Sequence, residues 1–151
     1  MHFTDMDNLP GIVARGALLA DSMIRAVGGP AFECADTSIK HRRRTIPIRV
    51  SPFGLVGDYV PFYYAPRSPM LYRIWKGGVP GYQRGQASLV YLVSSVETVL
   101  SNGLTWVGSD GNCAAAMTDH YNDWNELTRA IDWPLMTERI WRNTDEDGDR
   151  L

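Results

Sequence analysis

Short hydrophobic runs punctuated by glycine and proline make up this chain, and each predicts a short element. His2 to Thr4 reads as a brief strand. Asp5 or Asp7 then caps a helix with Pro10 in its first turn, where a missing N–H costs nothing, and Gly16 stops it. Leu9, Ile12 and Val13 recur at helical spacing, which predicts one face on the core. Ser22 to Val27 predicts a second short helix ending at Gly28 and Gly29, and residues 30–37 read as loop. A third helix starts at Thr37 and carries Lys40, His41, Arg42, Arg43 and Arg44 before Pro47 ends it. Lys40 and Arg44 lie four apart and share a face, with Arg43 on the neighbouring one.

The stretch from Asp58 to Tyr72, DYVPFYYAPRSPMLY, concentrates aromatics and prolines. Tyr59, Val60, Phe62, Tyr63 and Tyr64 suit a pleated strand, which Pro61 opens and Pro66 and Pro69 close. Two readings stand: a buried aromatic strand with a proline stop, or a site wall on which rigid φ angles hold Arg67 and Ser68 still. Beyond it, Met70 to Trp75 forms a helical turn or strand end, and the glycine-rich residues 77–86 form a loop. SLVYLV, residues 88–93, is the clearest buried strand. Ser94 or Ser95 caps a helix from Val96 to Leu100 that Gly103 ends, and Leu104 to Val107 reads as another strand. SDGN is a turn, a loop then enters a helix ending near Leu127, and Trp133 and Pro134 open a last helix to about Trp141. The class is α+β, with short strands, no repeat and a single domain over residues 1–151.

Composition narrows the partners. A net charge of −2 gives no global pull toward nucleic acid or membrane, so an anionic partner must meet a local patch, and Lys40 to Arg44 is one. It is either a solvated helix face or an anion grip on phosphate. Cys34 and Cys113 are too few and too far apart for a disulfide framework or a zinc site. They read as reduced thiols in a cytoplasmic protein, and no metal is implied. No apolar run approaches a membrane span. Both ends read as cut, since the first residues resemble a strand already under way and DEDGDRL has no closing element.

The chemistry-bearing candidates are few. Walker, Rossmann and nucleophile-elbow signatures are absent from the sequence. His2 and Thr4 lie one pleat apart on one strand face, where they either remain exposed or hydrogen-bond a carboxamide or ribose. Asp110, Asn112 and Asp119 suit turn chemistry better than a metal site.

Five blocks in order, HFTDMDNLPGI, IKHRRR, DYVPFYYAPRSPMLY, LTWVGSDGNCAA and RIWRNTDEDGDR, resemble the DarT family of bacterial toxins over nearly the whole chain. The resemblance implies an ADP-ribosyltransferase-like fold and a mono-ADP-ribosyltransferase that uses NAD to modify thymidine in single-stranded DNA. It implies glycosyltransferase and nucleotidyltransferase chemistry, a macrodomain antitoxin partner, DarG, and a monomer; the alternative is a non-catalytic NAD or nucleic-acid binding module. By resemblance His2, Thr4, Asn8 and Gly11 contact the cofactor, and Tyr63 stacks on nicotinamide while Phe62 and Tyr64 stay in the core. Arg43 is the closest match to the catalytic arginine, Arg42 and Arg44 being adjacent competitors, and Arg42, Arg44 and Arg67 are expected on the DNA. The loop from Gly108 to about Asn125 resembles the substrate-recognition loop. The family's catalytic glutamate follows the W-x-N-T-D-x-D segment; Glu138 and Glu146 do not occupy its motif, so this chain alone is expected to catalyse little or nothing.

Overall fold

A computed structural model describes residues 1–137; the last block and the positions Glu138, Trp141 and Glu146 lie outside the described residues. Strand β1 (His2–Asp5) pairs antiparallel with β2 (Leu89–Leu92), His2 opposite Leu92 and Asp5 opposite Leu89. Asp5 ends β1 and turns the chain: its carboxylate accepts from the Asp7 amide at 3.0 Å, capping a 3₁₀ turn over Met6–Asn8. Helix α1 (Leu9–Arg15) follows, with Pro10 in its first turn and Gly16 in the left-handed conformation (φ 63°) that a C-terminal glycine adopts without strain.

Next come α2 (Asp21–Ala26), α3 (Thr37–Arg43), whose N-cap is Asp36, and α4 (Pro69–Trp75), capped by Ser68. After β2, Ser95 caps α5 (Val96–Ser101). A small antiparallel ribbon, β3 (Gly108–Ser109) with β4 (His120–Tyr121), leads to α6 (Trp124–Ala130) and α7 (Trp133–Thr137). The α+β expectation and most helix positions therefore match.

Phe3, Cys34, Ile74, Val79 and Tyr82 form a buried cluster, with Tyr63, Met70, Leu71 and Leu89 packed against it. Asp5 is wholly buried yet satisfied: Tyr82 donates to it at 2.8 Å and Arg84 at 3.0 Å, and Arg84 also bonds Asp7 at 2.7 Å. Burial, with Asp5 adding, pushes the Tyr82 phenol up, so it stays a donor. The glycine-rich loop is thus stapled to the end of β1.

Four expectations fail. The aromatic residues 59–64 form no strand: Pro61 removes a ladder donor, and the main-chain pairing is the Tyr63 amide to the Met1 carbonyl at 2.7 Å and the Met1 ammonium to the Tyr63 carbonyl. SLVYLV is not deeply buried; only four of its residues pair, and Val93 is 72% exposed, because β1 is its one ladder partner among the described residues. Leu104 to Val107 is coil, and pairing starts at Gly108, where the main chain lies against Leu127. Helix α1 buries no residue fully and Val13 is 77% exposed; spacing defined a face but not its cover.

Candidate active site

One cavity of about 1120 Å³ is bounded by the strand face of β1, the α1 and α3 helices, residues 28–35, the aromatic segment and the turn before residue 118. Volumes of roughly 300–1,000 Å³ are usual for small-molecule sites, so a dinucleotide and part of a second reactant fit. Of the predicted residues, His2, Thr4, Asn8, Gly11, Arg43, Tyr63 and Arg67 all line it, whereas Arg42 and Arg44 do not.

The strand places His2 and Thr4 side by side. The Pro61 carbonyl can only accept, so the 2.9 Å contact from His2 Nδ1 fixes the proton there and leaves Nε2 as an acceptor. Burial lowers the His2 pKa; the Pro61 bond opposes this, while the chain's ammonium and Arg43 add to it, so the ring is neutral at pH 7. Thr4 Oγ1 accepts from Asn8 Nδ2 at 2.9 Å and keeps its own O–H to donate.

Asn8 serves the cavity wall. Its Nδ2 also donates to the Phe32 carbonyl at 2.8 Å, and its Oδ1 accepts from the Phe32 amide at 2.9 Å, a two-point clamp on residues 30–33. Arg84 lies 4.4 Å over the Phe32 ring and braces the same loop. At Gly11 an added Cβ would come within 2.9 Å of Arg15 Nη1, whose guanidinium bonds the Gly11 carbonyl.

The three arginines separate. Arg44 binds Asp21 through Nε at 2.5 Å and Nη2 at 3.2 Å, and Lys40 reaches Asp21 at 2.8 Å and also pairs with Glu33. Burial would raise the Asp21 pKa, but the Arg44 and Lys40 hydrogen bonds and charges outweigh it and hold the carboxyl at about 2. Arg44 and Lys40 therefore spend their charge tying α3 to α2 and residue 33, and Arg44 is not presented to the cavity. Arg42 is exposed on another side. Arg43 enters the cavity, where its Nη2 makes a long 3.5 Å approach to the Val56 carbonyl and its charge acts on His2, Tyr63 and Cys113.

Tyr63 stacks nearly parallel on Phe3, centroids 6.0 Å apart and planes 8° apart, so Phe3 supports a ring that also forms cavity wall. Burial pushes its phenol up, opposed by Arg43. The expected alternation is reversed: Phe62 and Tyr64 are 44% and 37% exposed, and Tyr63 packs against the core. Without a ladder to impose period two, the Met1 pairing orients residue 63 instead. Asp110, Asn112 and Asp119 satisfy turn bonds, Asp110 accepting from the Asp119 amide at 3.1 Å and Asn112 from the Ala114 amide at 3.0 Å. No metal-holding cluster occurs among the described residues. Asp21, Phe32 and Glu33 shape the site without having stood out in sequence, because their partners are distant along the chain.

Fold and site together define an α+β domain of the ADP-ribosyltransferase type. The chain superposes on Thermus sp. 2.9 DarT in complex with ADP-ribosylated ssDNA with a TM-score of 0.89 at 34% identity, covering 99% of this chain and 69% of that one. Against the same protein in complex with NAD+ the TM-score is 0.82 at 33% identity, with the same coverage. A DNA ADP-ribosyl transferase of Mycobacterium tuberculosis is 41% identical over 152 residues, 99% of this chain, and one of Escherichia coli is 31% identical over 141 residues, 93% of this chain. The family model for ssDNA thymidine ADP-ribosyltransferase, DarT, matches residues 1–151, and the chain belongs to the DarT family. It spans 64% and 63% of the length of these two relatives. The relatives are named ADP-ribosyl transferase, a class different from nucleotidyltransferase, so the nucleotidyltransferase expectation is corrected.

Proposed function

We propose that this chain is the NAD-binding body of an enzyme that transfers ADP-ribose from NAD to thymidine in single-stranded DNA. The observation that carries this is the convergence of neutral His2, Thr4, Tyr63 and Arg43 on one cavity large enough for a dinucleotide. His2 Nε2 as acceptor beside the Thr4 O–H as donor complements a carboxamide, which has one of each. Tyr63, backed by Phe3, offers a flat face for nicotinamide. Arg43 is the cation for the pyrophosphate, whose negative charge is present throughout; as the bond breaks, nicotinamide leaves neutral and positive charge develops on the ribose. The base then bonds to the ribose carbon through a ring nitrogen, whose proton passes to solvent water, so that one C–N bond replaces the one broken to nicotinamide. A base must leave its stack to reach such a cavity, which favours single strands. Arg67, on the cavity wall, is proposed to face the DNA.

Family membership supports the companion assignments: a toxin acting in the cytoplasm as a monomer, countered by the macrodomain antitoxin DarG. Among the described residues no helix is long and apolar enough to cross a membrane.

Two measurements test the reading. Calorimetric titration of the chain with NAD is expected to show one site, weakened about tenfold or more by Arg43→Gln, since a charge-assisted hydrogen bond contributes roughly 1.5–3 kcal/mol. Mass spectrometry of a thymidine oligonucleotide, incubated with NAD and the chain extended through the family's glutamate, is expected to show one added ADP-ribose. No NAD binding together with an unshifted oligonucleotide rejects it.

A further inference from the structure

Behind the main cavity lies a second pocket of about 360 Å³, between the loop that follows α3 and the turn that precedes β4. Arg42, Thr45, Arg49, Thr118 and His120 supply its polar lining, and Ala115 and Thr118 are shared with the main cavity, so one thin wall separates the two. None of its lining residues is acidic. In a chain of net charge −2 this is a local concentration of positive charge. Arg42 and Arg49 are exposed, and neither side chain makes an ion pair or hydrogen bond among the described residues, unlike Lys40 and Arg44.

His120 is the second, independent observation. Both ring nitrogens are buried without a hydrogen-bond partner, an arrangement that costs about 1–3 kcal/mol. A half-turn about Cβ–Cγ exchanges the nitrogens with the ring C–H groups, so an acceptor entering the pocket can be met by an N–H. Two guanidiniums, two threonine hydroxyls and an imidazole lacking a partner suit a phosphodiester, whose oxygens only accept.

We infer that this pocket is a phosphate subsite for the DNA strand flanking the base held in the main cavity. The inference rests on the DNA-modifying reading above. Arg42 and Arg43, adjacent on the chain, then divide the work, Arg43 facing the cavity and Arg42 the backbone of the strand.

Three histidines make the test direct by imidazole NMR, with His120 assigned from His120→Gln. Inorganic phosphate and a thymidine-containing single strand are each expected to shift the His120 ring. Arg49→Gln, at an exposed position, is expected to weaken oligonucleotide binding about fivefold to tenfold and to make the salt slope shallower by about 0.7, with NAD affinity unchanged. His120→Gln is expected to weaken the oligonucleotide likewise. If neither probe moves the ring, the subsite is overturned. Oligonucleotide binding whose affinity and salt slope ignore both substitutions overturns the subsite and leaves the proposed function standing. A shift with phosphate but no oligonucleotide binding keeps an anion site and overturns both its DNA assignment and the reading beneath it.

Discussion

Asp21→Asn removes the anion that ties α3 to α2, and its effect can be worked from the structure. The carboxyl is held at about 2 against an ordinary 3.8, a difference of roughly 1.8 units, and each unit is about 1.4 kcal/mol. That sets an upper bound near 2.5 kcal/mol. Arg44 is 29% exposed in its side chain, so solvent screening reduces the figure to about 1–2 kcal/mol. For a chain of this size the melting temperature is expected to fall by roughly 3–6 °C at pH 7. The pH dependence has a definite sign. A depressed carboxyl pKa stabilises the fold above the unfolded value of 3.8, and that contribution disappears as pH falls through about 2. Melting curves of wild type and variant, followed by circular dichroism, should therefore separate at pH 7 and converge near pH 2. Because Arg43 occupies the same helix as Lys40, NAD affinity should weaken in parallel. Equal melting temperatures at pH 7, or a gap that persists at pH 2, would refute the reasoning.

Two further perturbations probe the frame of the site. In Gly108→Ala the new Cβ would lie 2.1 Å from Leu127 Cδ2, so urea denaturation should show a loss of about 1–3 kcal/mol, and adding Leu127→Ala should give less than the sum of the single effects. Asn8→Ala removes three side-chain hydrogen bonds to Thr4 and Phe32; hydrogen exchange at the Phe32 amide should accelerate well beyond the change at other amides, and uniform acceleration would mean that the clamp is not local.

Much of the local structure was legible because it depends on near neighbours. Asp5 and Ser95 cap the turn and the helix that their sequence positions suggest, and Gly16 closes α1. The five ordered blocks also carried the family. The aromatic segment misled, since strand propensity describes a side chain on a pleated surface and Pro61 left no ladder for one. Burial failed at Phe62, Tyr64 and Val93 for the same reason: what covers a face is set by other parts of the chain.

The arginine run shows the division most clearly. By itself the sequence determined that a basic helix face exists and that Lys40 and Arg44 point together, because helical periodicity is a property of the backbone. The resemblance favoured Arg43, but Arg42 and Arg44, consecutive with it and chemically identical, stayed as competitors. Tertiary structure gives the three different surroundings, with Asp21, 23 residues from Arg44, against one, the cavity against the next and the His120 pocket against the third. Electrostatic partners act through space, and a distance of a few ångströms between residues far apart in the chain exists only once the chain has folded.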